Sequence, residues 1–265
     1  MSSSTPSITV ATWNVNSITA RLDAALAWLD EHRPDVLCLQ ETKIPDEKFP
    51  HAAFESLGYQ VAASGQKAYN GVAIVSRLPL DAVHTDLPGD EGDQQKRLIG
   101  ATVAGIRILN LYVPNGSEVG SEKFAYKLAW LARLRAYLDV DFRPEEALLL
   151  CGDFNIAPEA RDVYDEKAVA GKVLYHPDEH RALATVRDWG LVDAFRLHQP
   201  DGGLFSWWDY RAGSFRRNLG MRIDHIWVST PLAGRCTASW IDAAPRKLER
   251  PSDHVPVLAT FSTQG

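Results

Sequence analysis

Five short clusters combine acidic, amide, phenol and imidazole side chains, and each falls just past an apolar run. They are Asn14 in ATWNVN, Glu41 in VLCLQET, Tyr112 and Asn115 in LNLYVPN, Asp153 and Asn155 in LLLCGDFN, and Asp253 with His254 in PSDHVPV. Taken singly, each has an ordinary explanation: Asp and Asn favour turns and helix N-caps, and Glu at a strand end is usually solvated. Taken together they ask for another, because strand ends in a layered α/β fold converge on one rim. Carboxylates gathered there repel one another unless something positive sits between them. A hard divalent cation is the simplest such charge. Glu41, Asn14 and Asp253 offer carboxylate and amide oxygens with no thiolate, a donor set suited to Mg²⁺ or Mn²⁺ rather than Zn²⁺.

The elements that must position these residues can be read from periodicity. SITVATWN alternates as a strand; Ile18, Leu22, Leu26 and Leu29 then recur at helical spacing up to Arg33 and Pro34, where the proline closes the helix. DVLCLQE is a continuous apolar run of the kind buried on both faces. A short helix over 49–57 leads past Gly58 to YQVAAS, GVAIVS, LIGATV and IRILNLYV, strands punctuated by Gly and Pro rather than by helices, so pairing is mixed. Phe124, Leu128, Leu131, Leu134 and Leu138 mark the longest helix, followed by the buried strand EEALLLCGD. A helix around Leu183, Val186 and Trp189 ends at Gly190, and RIDHIWVS, CTASWID and VPVLATF complete the strands. No linker divides the chain and no residue-level repeat is present. The expectation is a flexible N-terminus over 1–7 and a single domain over 8–265, α/β in class, with two mixed β-sheets packed face to face and helices on the outer faces.

Composition narrows the setting. The net charge of −6 over 265 residues argues on average against a nucleic-acid partner, but RAGSFRRNLGMRI carries Arg211, Arg216, Arg217 and Arg222 with no acid between them. MSSSTPS lacks a basic segment followed by an apolar run, and no apolar stretch approaches the ~18 residues of a membrane span. A cytoplasmic chain without membrane association is expected. The three cysteines, Cys38, Cys151 and Cys236, are odd in number and lack CxxC spacing, so reduced, buried thiols are expected rather than a disulfide or zinc site.

WNVNSI, PDVLCLQETK, YVPNGS, GDFNIAP, GLVDAFR, FSWWDYR, RIDHIWVS and PSDHVPV follow one another from Ile8 to Phe261. In order and spacing they resemble the exonuclease III and AP endonuclease family, within the DNase I-like metal phosphodiesterases. The resemblance implies a four-layer α/β sandwich and a DNA repair phosphodiesterase. Its activity would be cleavage 5′ to abasic sites, leaving a 3′ hydroxyl, together with 3′→5′ exonuclease and 3′-end trimming. By the same resemblance Glu41 is the principal metal ligand, supported by Asn14 and Asp253. Asp153 positions or deprotonates the attacking water, and Asn155 orients that water and the phosphate. His254, paired with Asp224, presents a charged imidazole to the phosphate, which Tyr112 also contacts. These types suit the reaction, which needs an activated water, a stabilised anionic transition state and help for the leaving oxygen. One or two ions fit this scheme. A second near Asp153, Asn155 and His254 would form a two-metal clamp, but His254 cannot be both imidazolium and metal ligand.

Substrate choice is expected on the same rim. The resemblance makes Trp207 one wall of a slot for a base-free sugar, with Met221 near the other side; the competing reading, that these tryptophans are core aromatics, is favoured for Trp208 and not for Trp207. A normal nucleotide would first have to be unstacked, at a cost of a few kcal/mol. Asn115, Lys123, Arg97 and the arginines from Arg211 to Arg222, Arg217 among them, are candidates for phosphates of duplex DNA bearing abasic sites or 3′ ends. A monomer is expected. Asn16 departs from an acidic residue of some relatives, and the segment 117–123 lacks an identifiable wedge residue. The competing readings are a phosphodiesterase of the same fold acting on inositol phosphates or sphingomyelin, and a catalytically silent DNA-binding module.

Overall fold

Period-two alternation sorts the strand side chains between two interfaces. The computed structural model describes residues 6–89 and 91–263. In chain order the first strands are β1 (Ser7–Asn14), β2 (Val36–Gln40), β3 (Gln60–Ser64), β4 (Val72–Ser76), β5 (Asp81–His84) and β6 (Leu98–Val103). They continue as β7 (Ile106–Tyr112), β8 (Leu148–Asp153), β9 (Leu191–Asp193), β10 (Asp224–Ser229), β11 (Cys236–Ile241) and β12 (Val257–Ser262). The helices are α1 (Ile18–His32), α2 (His51–Glu55), α3 (Glu122–Asp141), α4 (Glu166–Val169), α5 (Pro177–Arg187), α6 (Ala194–His198) and α7 (Thr230–Ala233). Ser7 already pairs with Ser262, inside the stretch expected to be flexible, whereas Met1–Thr5 lie outside the described residues.

Both sheets have six strands, in the orders β11-β12-β1-β2-β4-β3 and β5-β6-β7-β8-β10-β9. Each holds one parallel pair, β1 with β2 and β7 with β8, among antiparallel neighbours. A parallel pair needs a long crossover, which α1 supplies in one sheet and α3 in the other. The connectivity is therefore duplicated although the residues are not. Ser17 and Ser121 cap the two crossover helices, accepting from the backbone N–H groups of Ala20 (3.4 Å) and Phe124 (3.2 Å).

Ile8 and Val10, Val36 and Cys38, Ile106 and Ile108, Leu149 and Cys151, and Ile226 and Val228 form the core between the sheets. Their alternates face the helices: Ala11, Trp13, Leu37 and Leu39 pack with Trp28 and Leu29 of α1, and Leu109, Leu111, Leu148 and Leu150 with α3. Helix, sheet, sheet, helix is the four-layer order expected. The inward face of α3 differs in detail, with Lys127 and Trp130 buried and Leu128 only partly so. Cys38 and Cys151 are free and buried as expected; Cys236 is free but only half-buried, so that part of the expectation does not hold.

Toward one end the inner faces turn polar. Gln40 Nε2 donates to Thr12 Oγ1 (2.8 Å) and to Asn110 Oδ1 (2.7 Å), linking one sheet to the other. Asn110 Nδ2 donates back to the carbonyls of Leu39 (2.9 Å) and Ala73 (2.8 Å). Two residues further along the same faces come Asn14, Tyr112 and Asp153, and Asp224 stands opposite Asp153 in the ladder. Alternation thus carries the chemistry-bearing residues up from the core. Gly152 is required on the way: its φ is +141°, and a Cβ there would come within 1.9 Å of the Leu111 carbonyl oxygen.

Candidate active site

The carboxyl ends of the two parallel strand pairs meet, and their turns are conformationally strained. Asn16, Ser17, Glu41, Lys43 and Asn155 all have positive φ. Left-handed backbone is costly for non-glycine residues and collects at functional sites. Glu41, Asp153 and His254 present ligand atoms that all lie within 4.8 Å of one another. Two carboxylates at that distance, with nearby amides, fit a hard divalent cation.

Asn14 stands between the acids. Its Nδ2 donates to Glu41 Oε1 and Asp153 Oδ2, both at 2.8 Å, while its Oδ1 accepts from the Asn16 backbone N–H at 2.9 Å. In this arrangement the amide bridges the carboxylates, and its one acceptor oxygen is turned away. Asp253 lies outside the trio. Its Oδ1 accepts from Asn16 Nδ2 (2.9 Å) and its Oδ2 from Trp207 Nε1 (3.0 Å). Burial alone would raise its pKa, but the His254 charge and these donors hold it below the usual carboxylate range. Lys43, 2.9 Å from Glu41 Oε2, also donates to Asn16 Oδ1. The sequence QETK showed Lys43, but nothing in it marked a partner for Glu41.

His254 Nδ1 faces both oxygens of Asp224, at 3.1 and 2.9 Å, and its Nε2 lies 3.7 Å from Asp153 Oδ2. Burial would lower the imidazole pKa, but Asp224 and then Asp153 overcome it and raise it to about 10. An imidazolium there is a poor metal ligand. Burial pushes Asp153 up, the His254 charge pulls it back, and the outcome is about 7. Tyr112 is held well above its ordinary value by burial and by Glu41 and Asp153, so it is a neutral phenol. The Arg97 guanidinium lies 4.8 Å from its ring centre.

Asn155 Nδ2 donates to Asp153 Oδ2 (3.1 Å) and to the Val113 carbonyl (3.0 Å). Its Oδ1 accepts from Asn115 Nδ2 at 2.9 Å. Arg97, Asn115 and Lys123 line a cleft of ≈ 920 Å³ beside Tyr112. On the other side the half-buried Trp207 bridges Met221 and His254 through backbone pairing, and its ring centre is 6.5 Å from that of His254. Met221 and Trp207 belong to one apolar cluster. Trp208, by contrast, is 3% exposed and packs with Phe205 and Phe215.

The arginine run divides. Arg211, Arg216 and Arg217 are exposed, but Arg222 is 1% exposed and bonded to Asp162 (2.6 Å) and Asp193 (2.7 Å). It is therefore withdrawn as a phosphate contact. Its acidic partners lie far away in sequence, which made the run look unpaired.

The chain belongs to the endonuclease/exonuclease/phosphatase family, whose pattern it matches over residues 11–254. Within it, the chain is 37% identical to exodeoxyribonuclease III of Haemophilus influenzae over 94% of this chain and 98% of that protein. An AP endonuclease from Archaeoglobus fulgidus superposes with a TM-score of 0.93 at 42% identity, covering 96% of this chain and 99% of that one. The 3′ phosphatase NExo from Neisseria, bound to a product DNA hairpin, gives 0.93 and 43% over 96% and 99%. Among the described residues no helix is long and apolar enough to cross a membrane.

Proposed function

We propose that this protein is a DNA repair phosphodiesterase, dependent on a divalent cation, that acts as a monomer. It hydrolyses the backbone 5′ to abasic sites, leaving a 3′ hydroxyl, and trims 3′ ends. The observation that carries this reading is the buried Asp153 facing the Asp224-held His254 at 3.7 Å, directly beside Glu41. Asp153, buried beside Glu41 and facing His254, is placed to take a proton from the attacking water. The His254 imidazolium and the neutral Tyr112 phenol donate to phosphate oxygens as negative charge grows on them. Asn155 orients the water and the phosphate.

Glu41 and Asp153 would hold Mg²⁺ or Mn²⁺, which neutralises phosphate charge as a Lewis acid. The charged His254 favours one ion over two. Trp207 and Met221 wall the slot for a base-free sugar. Arg97, Asn115, Lys123 and Arg217 contact phosphates of duplex DNA. Relatives described as an AP endonuclease and as a 3′ phosphatase stand at nearly equal identity, which supports including both internal abasic sites and 3′ ends.

The test is a gel assay on abasic, nicked, 3′-phosphorylated and intact duplexes with Mg²⁺, Mn²⁺ or EDTA, with inositol phosphate and sphingomyelin in parallel. Incision at the abasic site that stops in EDTA is expected. Nicking that survives chelation, or turnover of the lipid and inositol substrates alone, would overturn the reading.

A further inference from the structure

Lys127 is 0% exposed on the inward face of α3, between Phe124 and Leu131, where an apolar residue would be the ordinary choice. Burying an ammonium is unfavourable unless its charge is paired and its protons are bonded. Here all three donors are used. Lys127 Nζ donates to the carbonyl of Asn115 at 3.1 Å, to that of Asn155 at 2.7 Å, and to the Glu179 carboxylate. Glu179, also 0% exposed, accepts in turn from the backbone N–H groups of Leu174 (3.2 Å) and His176 (2.9 Å).

The two carbonyls belong to different turns, one after β7 and one after β8. Those turns also meet through the Asn115 to Asn155 side-chain bond of 2.9 Å, the Asn155 Nδ2 bond to the Val113 carbonyl at 3.0 Å and the Val113 N–H bond to the Asp153 carbonyl at 2.9 Å. Asn155 has φ 50°, the left-handed region that Asn enters more readily than other non-glycine residues, and its backbone N–H donates to Asp153 Oδ1 at 2.8 Å. Fixing the backbone at Asn115 and Asn155 therefore fixes the amides that hold Asp153.

We propose that Lys127 is a positioning residue for hydrolysis: it clamps the turns after β7 and β8 so that Asn115, Asn155 and Asp153 keep one arrangement. The inference rests on the proposed function only for the roles of Asp153 and Asn155. Stability is a weaker reason for the pair, because apolar replacement of a buried ion pair is often neutral or stabilising.

The test replaces the pair together, Lys127→Met with Glu179→Met, so that no lone charge is buried. A second pair, Lys127→Gln with Glu179→Gln, keeps polar contacts and serves if the first does not fold. We expect a urea midpoint at or below wild type, because the Asn115 and Asn155 carbonyls and the Leu174 and His176 N–H groups lose these partners, and an unchanged KM for abasic duplex measured well below that transition. The kcat should fall about 10- to 100-fold, the scale of a misplacement remote from the chemistry. The side-chain amide protons of buried Asn155, followed by NMR, should lose their protection from exchange. Wild-type kcat with wild-type amide protection would overturn the proposal, as would a loss confined to KM. Wild-type incision, run alongside, reports on the proposed function separately, and the amide protection decides the clamp whatever that outcome.

Discussion

Asp224 and His254 form a buried pair, 2.9 Å from Oδ2 to Nδ1, whose far side is turned toward Asp153. Asp224→Asn keeps the shape and removes the charge that sustains the imidazolium. The expected loss in kcat on abasic duplex is about 10²- to 10³-fold, typical of removing one electrostatic donor. The sign of the pH effect also follows. Asp224 raises the His254 pKa to about 10, so the variant's imidazole loses its proton sooner. A pH–rate profile should show the alkaline limb moving to lower pH.

Trp207 and Trp208 are adjacent in sequence and separable in function. Trp208→Ala empties a core position and should destabilise the fold by about 3–5 kcal/mol in urea titration. Trp207→Ala, at a half-buried wall, should cost little stability but lower abasic-over-intact selectivity, read as a ratio of kcat/KM, by about tenfold. Trp207→Phe keeps the wall and loses only the bond to Asp253, so abasic and 3′-phosphorylated substrates should slow alike.

Arg217 and Arg222 make opposite predictions. Removing exposed Arg217 should lessen the salt dependence of duplex binding by about one phosphate contact, measured as the slope of log K against log salt. Arg222→Ala removes the guanidinium shared by Asp162 and Asp193, leaving Arg196 to balance buried Asp162, and should lower stability by about 3–5 kcal/mol.

His225 supplies a pH test of the fold. Burial, then the Arg222 charge, lowers its pKa to about 4; Nε2 donates to the Ile156 carbonyl and Nδ1 accepts from Arg222. Between pH 4 and 6.5 the unfolded chain binds a proton there that the native state refuses, so stability rises with pH across that window. The slope from this group approaches about 1.4 kcal/mol per pH unit. Subtracting the urea stability of His225→Gln from that of wild type at each pH should isolate this rise.

Much of the site was legible because strand alternation is legible. A polar residue just beyond the last apolar one on an inner face must emerge toward the strand end, as Asp153 does two places after Cys151 and Asn110 two places after Ile108. Contacts between side chains far apart in sequence were not. The orientation of the Asn14 amide, the Trp207 bond to Asp253 and the burial of Arg222 all depend on partners that periodicity cannot name. Lys127 was visible as a charged residue at core spacing in α3, yet the apolar stripe drawn through Leu128 passed over it. The duplicated strand order also lay beyond sequence, because connectivity recurs here without residue identity.

That strand order has a consequence for synthesis. β12 closes between β11 and the much earlier β1, and the segment leading into it brings His254 to Glu41 and Asp153. A polypeptide emerging from the ribosome therefore has the acids long before it has the imidazole. The trio is complete only once β12 has been threaded home between its neighbours.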